Sequence, residues 1–308
     1  MAGGGKRVAV LMGGWSAERD VSLVSGAAVA RALKERGYDV NPIDVGPHVG
    51  VALAEAQPEV AFNALHGRFG EDGCIQGVLE IMGLPYTHSG VLSSAMAMDK
   101  PSALALFRDA GLRVPEGRLA HRDEVLAGSV MDPPYVVKPV NEGSSVGVVI
   151  VHDRDDNPFA RGEWLYRDSH VLVERYVPGR ELAAAVMNGR ALGVVEIKVQ
   201  GNGFYDYDAK YRQGGSSHEM PAKLSPAAYT ECMRIAETAH RRLGCRGVTR
   251  VDLRYDESAG EVDGLHLLEI NTQPGMTPTS LVPEIAAHNG ISFGDLVEWM
   301  VEDAGCRR

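Results

Sequence analysis

The chain has 308 residues, and 31 Lys and Arg against 41 Asp and Glu give a formal net charge of −10. This charge and the lack of long basic runs argue against a general nucleic-acid binder, because phosphate backbones are gripped by clustered Lys and Arg. A length of this kind suggests about two domains, with three smaller ones allowed, and 44% apolar residues is ordinary for a folded chain.

The cysteines and the apolar runs exclude further classes. The four cysteines form no CxxC pair and no His cluster accompanies them, so neither a zinc site nor a disulfide framework is predicted. No apolar stretch has the length of a signal peptide or of a membrane span. We therefore expect a soluble cytoplasmic protein.

The N-terminal third alternates strand-like and helical segments, in the manner of a parallel α/β sheet. Short apolar runs predict the strands, and apolar residues at helical spacing predict the helices. The predicted strands are 7–12, 38–45 and 59–64, and the predicted helices are 21–36 and 74–82.

After residue 95 strands joined by loops dominate the pattern. The predicted strands are 135–139, 146–151, 170–176, 181–187, 191–199, 247–255 and 265–270, with a helix at 226–243 and two short helices near the C-terminus. The segment 201–223 is rich in Gly, Tyr and charged residues, which predicts a long loop of the kind that forms active-site lids. The polar segment 152–169 has no clear pattern, so its structure is left unassigned.

A glycine-rich loop, NEGSSVG, follows Lys138 at a strand end. Glycines let backbone N–H groups approach an anion, hydroxyls add donors and a lysine adds charge, which together describe a phosphate cradle. The segment is not a P-loop, because its lysine precedes the loop and a strand follows it. A hairpin turn with a surface lysine is the alternative.

Two predicted strands near the C-terminus carry acids that can share one face, Asp252 on the first and Glu269 with Asn271 on the second. Two carboxylates and an amide oxygen suit Mg²⁺ or Mn²⁺. Solvated strand-face charge is the alternative, although unpaired carboxylates in such apolar strands would be costly. We do not expect a salt bridge between Arg250 and Asp252.

The NTQPGMTPTS segment comes directly after these strands. Gly275 would allow a backbone N–H to face a ligand oxygen, as in an oxyanion site, although a plain connector would have the same composition.

Two N-terminal residues are further candidates. Glu18 lies where a strand gives way to a helix, a common ligand position in α/β sheets, but an acid there can also simply stabilise the helix dipole. His66 could act as a base or hydrogen-bond donor, or could be structural. The surrounding segment lacks the GxGxxG spacing of a nicotinamide-binding enzyme.

Taken in order, these motifs resemble those of the D-alanine–D-alanine ligases of the ATP-grasp superfamily. The resemblance runs from about Val8 to Leu296 and is carried by GGWSAERDVSLVSG, ALHGRFGEDGCIQGVLEIMGLPYTHSGVLSSAMAMDK, VVKPVNEGSSVGV, FYDYDAKY, GVTRVDL and LLEINTQPGMTPTSLVP. It implies a three-domain ATP-grasp fold with a Rossmann-like N-terminal α/β domain. The implied boundaries are 1–96 for the substrate-binding domain, 97–179 for the central subdomain with the glycine loop and 180–308 for the subdomain with the lid and metal ligands.

The resemblance also implies the reaction. ATP would phosphorylate the carboxylate of one D-alanine, and the amine of a second would displace the phosphate to give D-alanyl-D-alanine for peptidoglycan synthesis, cell wall biogenesis and cell shape. Another ATP-grasp ligase, such as a D-alanine–D-lactate ligase, is the alternative. Tyr211 favours D-alanine, because relatives that accept D-lactate tend to carry Phe at the matching lid position.

Site residues follow from the same resemblance, position by position. The residues that match ATP contacts are Lys100, Lys138, Ser145, Glu174, Tyr176, Val177, Glu181 and Lys210, of which the lysines face the phosphates. The residues that match ligands of two Mg²⁺ ions, which Mn²⁺ could replace, are Asp252, Glu269 and Asn271. The residues that match catalytic positions are Glu18, Ser144, Tyr211, Arg250 and Gly275, and His66, Ser280 and Leu281 match substrate-binding positions.

The resemblance further implies a homodimer formed through the N-terminal domain, with D-alanine and ATP as small-molecule partners and neither nucleic acid nor membrane. Asn141 departs from the family pattern, since many relatives have a basic residue where this glycine loop opens.

Overall fold

The computed structural model describes residues 5–128, 130–141, 143, 147–155, 157–162, 164–199, 215–277 and 279–307. Three β-sheets follow one another along the chain, with helices packed on or between them. Among these residues no helix combines the length and the apolar character that crossing a bilayer requires.

The N-terminal sheet is parallel, with strand order β2-β1-β3, and so confirms the prediction of a parallel α/β unit. Its strands are β1 (Arg7–Met12), β2 (Asp39–Asp44) and β3 (Val60–Asn63), and its helices are α1 (Arg19–Glu35), α2 (Val49–Ala56) and α3 (Cys74–Met82). The apolar side chains of β1 point alternately to the two faces of the sheet: Val8 and Val10 are buried on one face, and Ala9 and Leu11 on the other. Both faces are therefore covered, as parallel sheets require.

Two helices, α4 (Val91–Met98) and α5 (Lys100–Asp109), lead out of this unit. Asp99 caps α5 by accepting a hydrogen bond from the Ser102 N–H at 3.0 Å, and Pro101 occupies the first turn, where a missing N–H is harmless. The cap fixes Lys100 at the beginning of the helix. The inner side of α5 buries Phe107 in a core shared with the C-terminal sheet.

The central sheet is antiparallel, with strand order β4-β7-β5-β6. Its strands are β4 (Gly117–His121), β5 (Tyr135–Pro139), β6 (Val149–Val151) and β7 (His170–Arg175), with the short helix α6 (Arg122–Leu126) after β4. The segment left unassigned from sequence contains a 3₁₀ turn at Pro158–Arg161, which buries Phe159 against Trp164 and Tyr166. Aromatic packing, rather than helix periodicity, orders this segment.

The C-terminal sheet has the order β10-β9-β8-β11-β12, and all four of its neighbouring pairs are antiparallel. Its strands are β8 (Arg180–Met187), β9 (Arg190–Val199), β10 (Ser216–Glu219), β11 (Val248–Tyr255) and β12 (Leu265–Asn271), and its helices are α7 (Pro226–Arg242), α8 (Leu281–His288) and α9 (Phe293–Glu302). Helix α7 covers one face and α8 the other. Strand β10 lies inside the segment predicted as one long loop, so that prediction was wrong for Ser216–Glu219.

The last helix returns to the N-terminal unit. Arg36 at the end of α1 pairs with Asp295 at 2.5 Å and with Glu298, and Tyr38 donates to Glu302 at 2.8 Å. Burial and the neighbouring carboxylates raise the pKa of Tyr38, so the phenol remains a hydrogen-bond donor. The three-domain boundaries inferred from sequence stay a prediction.

Candidate functional site

One cleft collects most of the predicted residues that the structure describes. Its lining includes Glu18, His66, Lys100, Arg250, Glu269, Asn271, Gly275, Ser280 and Leu281. These residues come from the N-terminal sheet, from the start of α5 and from the C-terminal strands, so the cleft lies where the units meet.

Glu18 precedes α1 and is 6% exposed. Its side chain makes no capping hydrogen bond to the helix. Two glycines close around the carboxylate: a Cβ on Gly67 would lie 2.8 Å from Glu18 Oε2, and one on Gly143 would lie 3.1 Å away. Gly143 belongs to the glycine-rich loop, which therefore approaches the N-terminal unit at this acid.

His66 lies beside Glu18 in the cleft and is held from two sides. Its Nδ1 is 3.2 Å from Glu71 Oε1, and its Nε2 is 3.4 Å from Ser25 Oγ. The ring position is thus fixed by a buried carboxylate. Sequence reasoning missed Glu71, although its place five residues after the histidine, in a loop with three glycines, was an available signal.

Two residues of the central sheet that were predicted to contact the nucleotide, Lys138 and Glu174, lie next to each other. Neither belongs to the described lining of this cleft. Lys138 on β5 and Glu174 on β7 form an ion pair with Nζ–Oε2 of 2.5 Å. Both side chains are buried, at 9% and 3% exposure. Lys138 is therefore not the surface lysine of a simple hairpin, which was the alternative to a phosphate cradle.

Arg254 contacts three other residues that were predicted to bind the nucleotide. It was not itself predicted from the sequence. Its Nε donates to the Val177 carbonyl at 3.1 Å, and its Nη1 is 3.3 Å from Glu181 Oε2. Its guanidinium also lies 5.7 Å from the centre of the Tyr176 ring and donates to the Tyr176 hydroxyl at 3.4 Å. The signal was available, since Arg254 is two residues beyond Asp252 and so shares its strand face.

Tyr166 supports the far end of the glycine-rich loop and was also missed. Its hydroxyl donates to the Gly147 carbonyl at 2.9 Å, with the Val137 carbonyl at 3.3 Å. Burial raises the pKa of Tyr166, so its proton stays available for these carbonyl oxygens.

The predicted metal ligands lie side by side on paired strands. Asp252 on β11 faces Glu269 on β12, and Arg250 faces Asn271. Arg250 makes a bidentate salt bridge to Asp252, with Nε–Oδ1 and Nη2–Oδ2 both 2.7 Å. The expectation that these two would not pair was wrong, because residues two apart on a strand point to the same side.

Each of the two acids lies beside a cation. Lys100 Nζ lies 3.6 Å from Glu269 Oε2, in addition to the Arg250 pair. Within the described part of the chain, no three His, Cys, Asp or Glu side chains gather into a metal-binding group. The donor set here is two carboxylates and an amide oxygen, which fits Mg²⁺, an ion held by few carboxylates together with water and phosphate.

The loop after β12 forms the remaining wall. Ser280 Oγ accepts from the Thr277 N–H at 3.0 Å, and a Cβ on Gly275 would lie 3.0 Å from the same oxygen. Glycine thus lets the backbone pass close to Ser280, and Leu281 begins α8 directly behind it. Four predicted residues, Ser144, Ser145, Lys210 and Tyr211, lie outside the described residues.

The three sheets and the cleft between them have the arrangement of an ATP-grasp enzyme. Family models described as "D-ala D-ala ligase N-terminus" and "D-ala D-ala ligase C-terminus" match residues 7–55 with 48–89 and residues 115–302. The chain therefore belongs to the D-alanine–D-alanine ligase family.

Individual relatives agree. The chain is 58% identical over 306 residues to D-alanine–D-alanine ligase B of Mesorhizobium japonicum, covering 98% of this chain and 99% of the relative. It is similar to the crystal structure of the D-alanine–D-alanine ligase of Bacillus anthracis, with a TM-score of 0.82, 31% identity and 96% of each chain covered. The same Bacillus enzyme complexed with ATP gives a TM-score of 0.79 at 30% identity, again with 96% of each chain covered.

Proposed function

We propose that the protein joins two D-alanines to D-alanyl-D-alanine through a D-alanyl phosphate intermediate, with release of ADP and phosphate from ATP. The cleft supports this proposal, because its lining combines the buried Glu18, Lys100 beside Glu269, and the glycine–serine loop. Each of these groups has a task in activating a carboxylate and coupling it to an amine. Family membership supplies the substrates.

Phosphorylation comes first, because a free carboxylate is a poor electrophile and an acyl phosphate is a good one. We assign the phosphates of ATP to Lys100, Lys138, Ser145 and Lys210. We assign the adenine and ribose to Glu174, Tyr176, Val177 and Glu181, and the Arg254 contacts give this group a fixed shape.

The metal proposal rests on the donor set described above. Asp252, Glu269 and Asn271 would hold two Mg²⁺ ions, with Mn²⁺ able to replace them. When bound, the ions neutralise phosphate charge and align the transferred group. Arg250 and Lys100, which pair with the acids, remain as cations at the same place.

The two substrates are assigned to two different walls of the cleft. Glu18 binds the ammonium of the first D-alanine, with Ser144 and Tyr211 as hydrogen-bonding partners and His66 nearby. Ser280 and Leu281 receive the carboxylate of the second. Arg250 and the Gly275 N–H stabilise the oxyanion that forms when the amine attacks, a type of contact worth several kcal/mol in catalysis.

The second substrate is the point at which the alternative differs. A D-alanine–D-lactate ligase would use the same phosphorylation step and attack through a hydroxyl. Tyr211 favours the amine, since lactate-accepting relatives tend to carry Phe there. We place the protein in the cytoplasm, where it would supply peptidoglycan precursors for cell wall and cell shape.

We also propose a homodimer formed through the N-terminal unit. Exposed apolar side chains on α3 and α4 offer a surface for it: Ile81 is 89% exposed and Leu92 is 69% exposed. Sedimentation should give twice the chain mass for the wild type and a lighter species for the double variant Ile81→Asp with Leu92→Asp. A monomeric wild type would refute the dimer.

The reaction is tested by measuring phosphate release from ATP and Mg²⁺ with D-alanine, with L-alanine, and with D-alanine plus D-lactate, and by identifying the products by mass. D-alanyl-D-alanine formed from the D-amino acid alone is the expected result. A depsipeptide product would favour the alternative, and ATP turnover with none of these substrates would point to another ligase.

A further inference from the structure

One buried glutamine, Gln273, links the two walls of the cleft to which the two D-alanines are assigned. Gln273, in the loop after β12, is 1% exposed. Its Nε2 donates to the Leu65 carbonyl, and its Oε1 accepts from Asn63 Nδ2, so its side chain is held by the end of β3. Its backbone N–H donates to Asn271 Oδ1 at 2.7 Å. One residue thus contacts both a proposed metal ligand and the N-terminal unit.

The N-terminal partners of Gln273 hold the loop that carries His66. Asn63 is fully buried, donates to the Gly70 carbonyl at 3.0 Å and accepts from the Leu65 N–H at 3.2 Å. A shift of the Gln273 amide would therefore move the segment 65–71 relative to the loop 272–277.

A second contact links the same loop to the N-terminal unit. Ser25 of α1 accepts from the Met276 N–H at 3.2 Å, and the same oxygen lies 3.4 Å from His66 Nε2. The loop that carries Gly275 is thus tied to the His66 wall at two points, Gln273 and Met276.

Only one orientation of the Gln273 side-chain amide satisfies both of its hydrogen-bond partners. The Leu65 carbonyl can only accept a hydrogen bond and Asn63 Nδ2 can only donate one, so an amide with one donor end and one acceptor end fits both. Methionine has a similar length but satisfies neither partner.

We propose that Gln273 is a positioning residue that sets the separation between the two D-alanine sites. This inference rests on the proposed ligase function. The first substrate is assigned to the Glu18 and His66 wall and the second to the Ser280 wall, so the amine reaches the acyl carbon only if the walls keep their spacing. A misplacement of about 1 Å can reduce a rate by about 100-fold.

Misplacement has a chemical signature that simple destabilisation lacks. When the amine attacks the acyl phosphate, a C–N bond forms, the C–O bond to phosphate breaks, and each phosphate released matches one dipeptide. When the amine is out of reach, water attacks the same carbon and returns D-alanine and phosphate. The ratio of phosphate to dipeptide then rises above one.

The test compares Gln273→Met with Gln76→Met. Gln76 is a matched control, because it is 1% exposed and donates to the same Gly70 carbonyl at 2.9 Å from helix α3. We expect Gln273→Met to lower dipeptide kcat by about 10- to 100-fold. We expect a phosphate-to-dipeptide ratio above one and a KM for ATP within about twofold of wild type, whereas Gln76→Met keeps the ratio at one.

A ratio of one with an unchanged kcat in Gln273→Met would overturn the proposal, and so would an equal rise of the ratio in Gln76→Met. If Gln273→Met does not fold, Gln273→Asn decides: its amide is one methylene shorter and reaches at most one of the two partners, so it should raise the ratio, and an unchanged ratio refutes the inference. A wild type that makes no dipeptide would refute the ligase function itself, which is a separate outcome.

Discussion

The buried ion pair of Lys138 and Glu174 gives a prediction whose size follows from its geometry. The two charges are 2.5 Å apart and nearly solvent-free. At an effective dielectric constant of about 20 the attraction is about 7 kcal/mol. Breaking such a pair from one side typically costs about 3–5 kcal/mol, because relaxation and water recover part of it. Since about 1 kcal/mol shifts Tm by about 2–4 °C in chains of 150–250 residues, Glu174→Leu should lower Tm by about 6–20 °C.

Scanning calorimetry without nucleotide measures this directly, and a double variant supplies the control. Lys138→Met combined with Glu174→Leu removes both charges, so it should recover most of the loss. The reasoning is refuted if Glu174→Leu melts within about 2 °C of the wild type, or if the double variant is as unstable as the single one.

Three further outcomes are expected. Glu269→Gln should abolish phosphoryl transfer with Mg²⁺ and leave the circular dichroism spectrum unchanged, and near-wild-type activity would refute the metal assignment. Arg254→Leu should raise the KM for ATP by about tenfold, a loss of about 1.4 kcal/mol, because Glu181 loses its ion-pair partner. The KM for D-alanine should stay constant, and a parallel rise in both would contradict the assignment. Burial, and to a smaller extent the positive charge of Arg246, lowers the pKa of His240 from 6.5 to about 4. The unfolded state therefore binds more protons between these pH values, and up to about 3 kcal/mol of stability is lost as pH falls through this window. Urea unfolding of His240→Gln at pH 7 and pH 4.5 should show less of this loss than the wild type, and an equal loss would count against it.

Elements with strong local signals could be predicted from the sequence. Helix α3 matches its predicted range, 74–82, because Gly73 and Gly83 both adopt positive φ, at 90° and 66°, and so mark its two ends. Strand β5 matches its predicted range as well. These features depend on a few adjacent residues, and a single sequence contains them.

Other elements depend on partners elsewhere in the chain. Strand β10 was missed because its short segment SSHE has little β pattern of its own and is a strand through pairing with β9. The salt bridge from Arg250 to Asp252 was missed through an error of geometry, since the alternation of strand side chains already places both on one face.

Local sequence patterns were sufficient to predict the parallel N-terminal sheet, the paired acidic strands and the family to which the chain belongs. Which charges and amides meet depends on the folded arrangement: Lys138 pairs with Glu174, Arg254 with Glu181, and Gln273 with the end of β3. The physical reason is that each contact joins different strands or loops. Strand register and the packing of separate sheets set those distances, and neither is written in the local pattern of residues.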